Sequence, residues 1–449
     1  MSDEISKDKN ILKSFARYVS LNVIAMLGLS LYILADTFFI SFGMGATGLA
    51  ALNIALPVYS LMYGLGLMFG MGGATLFAKY KAKGEAASAN AVFTHVFFIT
   101  LAIGVLLSAI GFVFCGEISA LLGANDETFE YTSIYIKTVV SFAPFFIINN
   151  ALMPFLRNDG APRLSMAGML AGSLSNILLD YIFIFPLKLG MLGAAIATCF
   201  APAIGIFIMS FHFIKKKNSF KIIKCKLDFK KIFAIVKIGV PNFITEISGG
   251  IVIFAFNLVI LTISGNVGVA AYGVVANIAL VIISLLIGIS QGAQPLMTEN
   301  FALGKKRELG ALFKSSVITT FAFSVAIYLV LFFGAKGISD IFNYERNLNL
   351  TALAVEGMRL YSIGYFLAGL NIIIGAYFAA VFKAAQAFTI TFLRGLGFIL
   401  PLIFLLGKTG GMTGVWLAFP AAEALTFIVT LIFVLVYRKN SYKIENSPN

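Results

Sequence analysis

Long apolar stretches separated by short polar ones set the pattern of this chain. Windows of about 20 apolar residues, the length that crosses a bilayer as helix, recur near 15-40, 49-78, 90-114, 130-156, 163-186, 191-213, 239-263, 271-298, 309-334, 355-380, 386-407 and 413-437. The runs are continuous. A β-barrel would instead alternate apolar and polar positions over about ten residues per strand. The pattern predicts an all-α, polytopic membrane protein with twelve transmembrane helices, numbered here as spans one to twelve. Composition excludes a soluble enzyme, because 59% of the residues are hydrophobic and 12% charged, with a mean hydropathy of +0.95.

The spans fall into two sets of six. GLAALNIALPVYSLMYGLGLMFGMGGATL from Gly48 aligns without gaps on GVAAYGVVANIALVIISLLIGISQGAQPL from Gly268, and the same offset of 220 carries Gly84 to Gly304. GMLGAAIATCFAPA at Gly190 resembles GMTGVWLAFPAAEA at Gly411, at an offset of 221. Six helices return the chain to its starting side. Two lobes in the same orientation are therefore expected, 1-213 and 239-449, related by an axis along the membrane normal around a central cleft. The basic stretch 214-238 joins them, as an amphipathic interfacial segment or a solvated linker. Glycines crowd spans two and eight (Gly64, Gly66, Gly70, Gly72, Gly73, Gly288, Gly292), where small residues permit close helix packing.

Charge gives orientation. Lys7, Lys9, Lys13, Arg17, Lys79, Lys81, Lys83, Arg157, Arg163, the 215-231 cluster, Lys305 to Arg307, Lys314, Lys383, Arg394, Arg438, Lys439 and Lys443 fall on one side, against Lys188, Lys336, Arg346 and Lys408 on the other. The positive-inside rule puts both termini in the cytoplasm of a cell with this protein in its plasma (inner) membrane. The net charge of +13 is then topogenic and lipid-directed, with no reason to invoke nucleic acid. The opening MSDEISKDKN runs into a full-length span without a small-residue cleavage site, so no removable signal peptide is expected. Cys115, Cys199 and Cys225 predict no disulfide.

Two carboxylates stand inside these apolar spans. Asp36 lies in SLYILADTFFI on the first, and Asp180 on the fifth, where Ser173, Asn176 and Asp180 recur at intervals of three and four and share a face. A carboxylate at membrane depth is costly and is a functional candidate by default. A hydroxyl, an amide and a carboxylate along one stripe suit either a hard cation such as Na+ or a proton-binding carboxyl. The repeat offsets carry Asp36 to Phe256 and Asp180 to Pro401. The second lobe lacks the pair, as expected of function rather than of shared architecture. It keeps Glu246 and Glu423, candidates for attracting a cationic substrate or carrying a second proton. Asn257, Gln291 and Gln294 are further candidate substrate contacts, although interhelical hydrogen bonding is the expected role of the two glutamines. His95 and His212 form no ligand cluster.

From LADTFFI through LRNDGAPRLSMAGMLAGSLSNILLDYIFIF to GISQGAQPL and GVWLAFP, the chain resembles the multidrug and toxic compound extrusion (MATE) transporters, closest to their DinF-like branch. The resemblance implies two lobes packed as a V and export of cationic or amphipathic compounds in exchange for Na+ or H+. It also implies a cation site at the positions of Asp36, Asn176, Asp180 and Thr198, with the Tyr135 hydroxyl nearby; these four would be the metal ligands if the ion is Na+. The first span has no proline, so the helix bending of some members is not carried over. No cofactor other than the coupling ion is expected, and the chain is expected to act as a monomer on small organic cations. A flippase for lipids or lipid-linked oligosaccharides is the alternative. It would call for a basic cleft, whereas the arginines and lysines here are assigned almost entirely to loops. An enzyme would need a nucleophile pair or metal cluster at depth, and neither is present in the sequence.

Overall fold

A computed structural model describes residues 2–342 and 348–445, nearly all of them helical and none in a strand. Arg346 lies outside the described residues, and so do the side chains of Lys7, Lys9, Arg438 and Lys443. The first six spans are Ile11–Gly45, Thr47–Ala82, Ala86–Val113, the pair Phe129–Ser141 and Ala143–Asn158 bent by 56°, Pro162–Ile184 and Gly190–Ile214. Next come Phe229–Gly265, Val267–Ala302, Lys306–Asp340 and the pair Leu348–Tyr361 and Gly364–Ala380, bent by 44°. The last stretch, Ala384–Tyr437, has 54 residues. At 1.5 Å per residue it would be roughly 81 Å long, more than twice the apolar thickness of a bilayer. Gly411 breaks it, with φ 57° and ψ −142°. Among the described residues the spans are therefore twelve.

Glycine punctuation repeats at the register of the sequence duplication. Gly45 (φ 67°, ψ −159°) separates the first two spans, and Gly265 (φ 59°, ψ −155°) the seventh and eighth. Gly84 and Gly304 take φ of 77° and 70°, and Gly190 and Gly411 take 55° and 57°. These left-handed conformations are open to glycine at little steric cost. One pair departs from the pattern: Gly160 (φ 81°), two residues past the end of the fourth span, is answered past the tenth by Phe382 at φ 60°. The bends in spans four and ten also correspond, at Phe142 and at Ser362–Ile363.

The chain forms two compact units, 1–247 with 291–309, and 248–290 with 310–449. The division cuts through the seventh and eighth spans. Glycine explains why their near ends join the first unit. A Cβ added at Gly292 would lie 2.7 Å from Val19 Cα and 2.8 Å from the Tyr18 carbonyl, and one at Gly72 would collide with the backbone of Ile235 and Gly239. Gly72 and Gly292 are repeat equivalents, as are Val19 and Gly239. Each repeat's second helix thus rests on the other's first helix at one register. Within the first repeat, a Cβ at Gly66 would meet Asn150 Cβ at 2.7 Å, and one at Gly70 would meet Ala151 Cα at 2.7 Å, so these glycines let spans two and four touch backbone to backbone.

The expected linker is shorter than its sequence pattern. Helix resumes at Phe229, capped by Asp228, whose carboxylate accepts from the backbone N–H of Lys230 (3.0 Å) and Lys231 (3.1 Å). The segment before it is neither helical nor free. It lies along the third span, with Lys221 N–H donating to Asn90 Oδ1 (2.8 Å), Ile223 N–H to Thr94 Oγ1 (3.1 Å) and Asp228 N–H to His95 Nε2 (3.0 Å). Phe220 is fully buried, against the rings of Phe93 (4.5 Å) and Phe213 (5.2 Å).

Candidate functional site

The five residues of the expected cation site converge inside the first unit. Asp36, Tyr135, Asn176, Asp180 and Thr198 come from spans one, four, five and six, and each is at most 7% exposed. Asn176 and Asp180 are one helical turn apart. The amide of Asn176 faces Asp180 Oδ2 at 3.0 Å and the Thr198 N–H at 3.1 Å, and with its nitrogen toward the carboxylate and its oxygen toward that N–H both contacts are hydrogen bonds. The carboxyls of Asp36 and Asp180 lie within hydrogen-bonding reach of each other, the Tyr135 hydroxyl lies near that of Thr198, and Thr198 Oγ1 donates to Ala194 O at 3.0 Å. Asp36 Oδ1 and Asp180 Oδ1 find no hydrogen-bond partner. Two buried carboxylates in contact cannot both carry full charge without a proton or a cation between them.

Ile40 and Ile184, one helical turn after Asp36 and Asp180, belong with Leu52, Ala55, Met62 and Val139 to one buried cluster that also contains Tyr135. Next to it, a cavity of about 50 Å³ is lined by Tyr32, Tyr59, Tyr63, Asn149, Asn150, Ser173 and Thr198. It has room for a water or two and is far below the roughly 300 Å³ of a small-molecule pocket. Tyr32 donates to the Tyr59 hydroxyl at 3.1 Å, and Tyr59 stacks on Tyr63 at 6.0 Å. Thr37, beside Asp36, is half-buried and donates to its own helix at Ile33 O, 2.9 Å away.

The remaining candidates divide. Glu246, half-buried on the seventh span, belongs to this same unit, where its Cβ lies 3.5 Å from the position of a Cβ at Gly64, the neighbour of Tyr63. Gln291 and Gln294 make interhelical bonds. Gln291 Oε1 accepts from Arg157 Nη1 at 2.6 Å, and Gln294 Nε2 donates to Thr75 Oγ1 at 3.2 Å. Asn257 is half-buried in the second unit. Glu423, also there, is 1% exposed and committed to partners: it accepts from Arg394 Nη2 at 2.8 Å and Nε at 3.1 Å, and from Asn371 Nδ2 at 2.8 Å.

Two arginines therefore leave the set of loop cations. Arg394 lies in a single wide π turn, Leu393–Gly397, inside the eleventh span, and its guanidinium neutralises Glu423. Arg157 is 4% exposed and also donates to Asn22 Oδ1 at 2.7 Å. Arg157, at a span end, resembles a topogenic charge, whereas Arg394 lies inside the 386-407 window; the fold reveals their partners, 135 residues away for Arg157 and 29 for Arg394. Pro202 was also missed. It lies four residues after Thr198 and supplies no N–H, so the Thr198 carbonyl has no intrahelical donor.

Outside the membrane, Asp159 ties the first unit to its linker. Burial alone would raise its pKa, but bonds from Lys81 (2.5 Å), from the Ser219 hydroxyl and from His212 Nε2 (2.8 Å), with Ser219 N–H at 2.8 Å, hold it below the usual aspartate value.

With this geometry established, comparison with known proteins gives consistent findings. The MatE family model matches residues 22–182 and 241–405, one match per repeat. The multidrug export protein MepA of Staphylococcus aureus (strain MRSA252) is 28% identical over 421 residues, covering 91% of this chain and 90% of that protein. MepA of Staphylococcus haemolyticus (strain JCSC1435) is 27% identical over 439 residues, covering 96% and 95%. Among solved structures, an outward-facing multidrug resistance MATE family transporter of the MOP superfamily superposes with a TM-score of 0.90 at 22% identity over 96% of both chains. A MOP superfamily transporter from Pyrococcus furiosus does so with 0.89 at 23% identity over 97% of both.

Proposed function

Because this chain belongs to the MatE family of multidrug efflux transporters, we propose that it exports organic cations and amphipathic compounds by antiport, with the Asp36 and Asp180 pair as its coupling site. One observation carries the reading: two buried carboxyls in contact, each with an unpartnered oxygen, in a repeat whose duplicate has Phe256 and Pro401 at those positions.

The coupling ion we infer is the proton. Asn176 satisfies both its neighbours with its amide nitrogen toward Asp180; that orientation stabilises a carboxylate, whereas a metal ion would take the amide oxygen. With one shared proton the pair carries a single negative charge, which holds a cationic substrate. A second proton, arriving from outside, neutralises the pair, ends that attraction and lets the apolar cluster close around it; release to the cytoplasm restores the charge. Sodium is the second reading, favoured by the freed carbonyl of Thr198; it requires the Asn176 amide to turn its oxygen inward, so that Asp36, Asn176, Asp180 and Thr198 ligate the ion. Glu246, beside Tyr59 and Tyr63, is the further acid proposed to meet substrate. Glu423 is proposed to be structural.

The protein works as a monomer in the plasma membrane with both termini cytoplasmic. That orientation rests on Lys81, Lys83, the lysines of 215–231, and Lys305 and Lys306, once Arg157 and Arg394 are set aside. The flippase alternative finds no support, since both of those arginines are already engaged. The test is dye transport in proteoliposomes under separately imposed pH and Na+ gradients. The proposal expects transport driven by the pH gradient alone; transport driven only by Na+ would transfer the site to the sodium reading, and transport driven by neither would end it.

A further inference from the structure

A second and larger cavity lies away from the carboxyl pair, in the same unit. It measures about 360 Å³ and opens on one side between the third, fourth and sixth spans, where the linker crosses. Phe97, Leu152, Phe155, Ile206 and Phe213 give it apolar walls, and Asn218, Lys221 and Ile222 of the linker form one rim. Phe98, Phe207, Ile214 and Ile222, on or beside those elements, are exposed, as expected of surface that meets lipid.

Three facts define the occupant. The volume accommodates on the order of a dozen groups the size of a water molecule, at about 30 Å³ each. The walls offer almost no polar partners, which excludes an ordered water cluster and suits methylenes. Eight lysines and one aspartate lie between 214 and 231, with Lys215, Lys216, Lys217 and Lys221 exposed near the rim, which repels an organic cation and attracts an anionic headgroup. We propose that the cavity holds one acyl chain of an anionic phospholipid, with the headgroup held by Lys221 and the neighbouring lysines of the linker. The backbone bonds that fix the linker to Asn90, Thr94 and His95 hold this rim in place without using the lysine side chains. The lipid thus covers an apolar hollow and, in the same contact, pins the linker that joins the two repeats.

The test uses the full chain with Phe97→Trp as a reporter. Trp416, the sole native tryptophan, is fully buried in the other unit and gives a constant background. The reporter protein is reconstituted with acyl-brominated phosphatidylglycerol or phosphatidylcholine at low mole fraction among unbrominated lipids. The proposal expects quenching by phosphatidylglycerol to saturate early, with a preference of about fivefold over phosphatidylcholine for each lysine engaged, and expects Lys221→Gln to lower that preference severalfold. Equal quenching by the two lipids in proportion to mole fraction describes ordinary annular lipid and overturns the proposal; so does the absence of quenching by either. Should the reporter variant fail to fold, lipid mass spectrometry of the wild-type protein and of Ile206→Trp, which fills the cavity, decides. Loss of one anionic phospholipid per chain supports the assignment, and an unchanged lipid count refutes it.

Discussion

Glu423→Gln separates an acid that holds the second unit together from one that attracts substrate. Its carboxylate is 1% exposed and receives two bonds from Arg394, at 2.8 and 3.1 Å, and one from Asn371 at 2.8 Å. The Arg394 side chain is 11% exposed. Taking one partner from a buried ion pair costs about 3–5 kcal/mol, because the other charge is left uncompensated. Glutamine still accepts a bond, so the loss falls below that range, to about 1.5–3 kcal/mol by the worth of charged hydrogen bonds. Unfolding of a membrane protein this size is irreversible, and the useful readout is a half-life at fixed temperature in detergent. If the pair is broken before the transition state for unfolding, that half-life shortens by at least about tenfold. The double variant Arg394→Met with Glu423→Leu removes both charges and recovers most of the loss, since a buried pair and well-packed apolar residues are often close in stability. A Glu423→Gln protein as durable as wild type but unable to transport, or a double variant worse than either single one, would refute the structural assignment.

Other expectations follow from the same geometry. Asp36→Asn and Asp180→Asn each abolish efflux in a drug-resistance assay, as loss of an ion-binding carboxyl at membrane depth demands, with unchanged folding by size-exclusion profile. Asp159 has a depressed pKa, so its contribution to linker docking is complete above the ordinary aspartate value of about 3.9 and is lost as pH falls through the lower folded value. Limited proteolysis within 215–226 should therefore accelerate at strongly acidic pH in the wild type, whereas Asp159→Asn is cut faster at neutral pH, by the about 1–3 kcal/mol of orphaned donors, and responds little to acid. Gly66→Leu places side-chain atoms where Asn150 Cβ and the Ile147 carbonyl now lie and should cost about 1–3 kcal/mol through overpacking; a half-life equal to wild type would contradict the backbone contact between spans two and four.

What the sequence made legible follows from what repeats in it. Apolar run length marks the spans, and glycines at constant offset mark their breaks because only a residue without Cβ takes those angles at little cost. The stripe of Asn176 and Asp180 was readable from helical spacing alone. The bend of the fourth span has a local sign, Pro144 just after Phe142, but that of the tenth has none, nor does the strained Phe382. Tyr32 and Tyr59 had a faint signal: Tyr32 sits one turn before Asp36, and Tyr59 and Tyr63 share a face. Arg157 had no signal at all, because a basic residue near the end of an apolar run has the same pattern whether it meets headgroups or a partner on a distant helix; Arg394 had one, as a charge inside the 386-407 run.

The central claim is that one carboxyl pair, confined to the first repeat, converts an ion gradient into export. The most direct measurement is ethidium transport in proteoliposomes carrying wild type, Asp36→Asn or Asp180→Asn, with and without an imposed pH gradient. The account predicts gradient-driven accumulation in the wild type and none in either variant. Gradient-driven accumulation at the wild-type rate in Asp36→Asn or Asp180→Asn would contradict it.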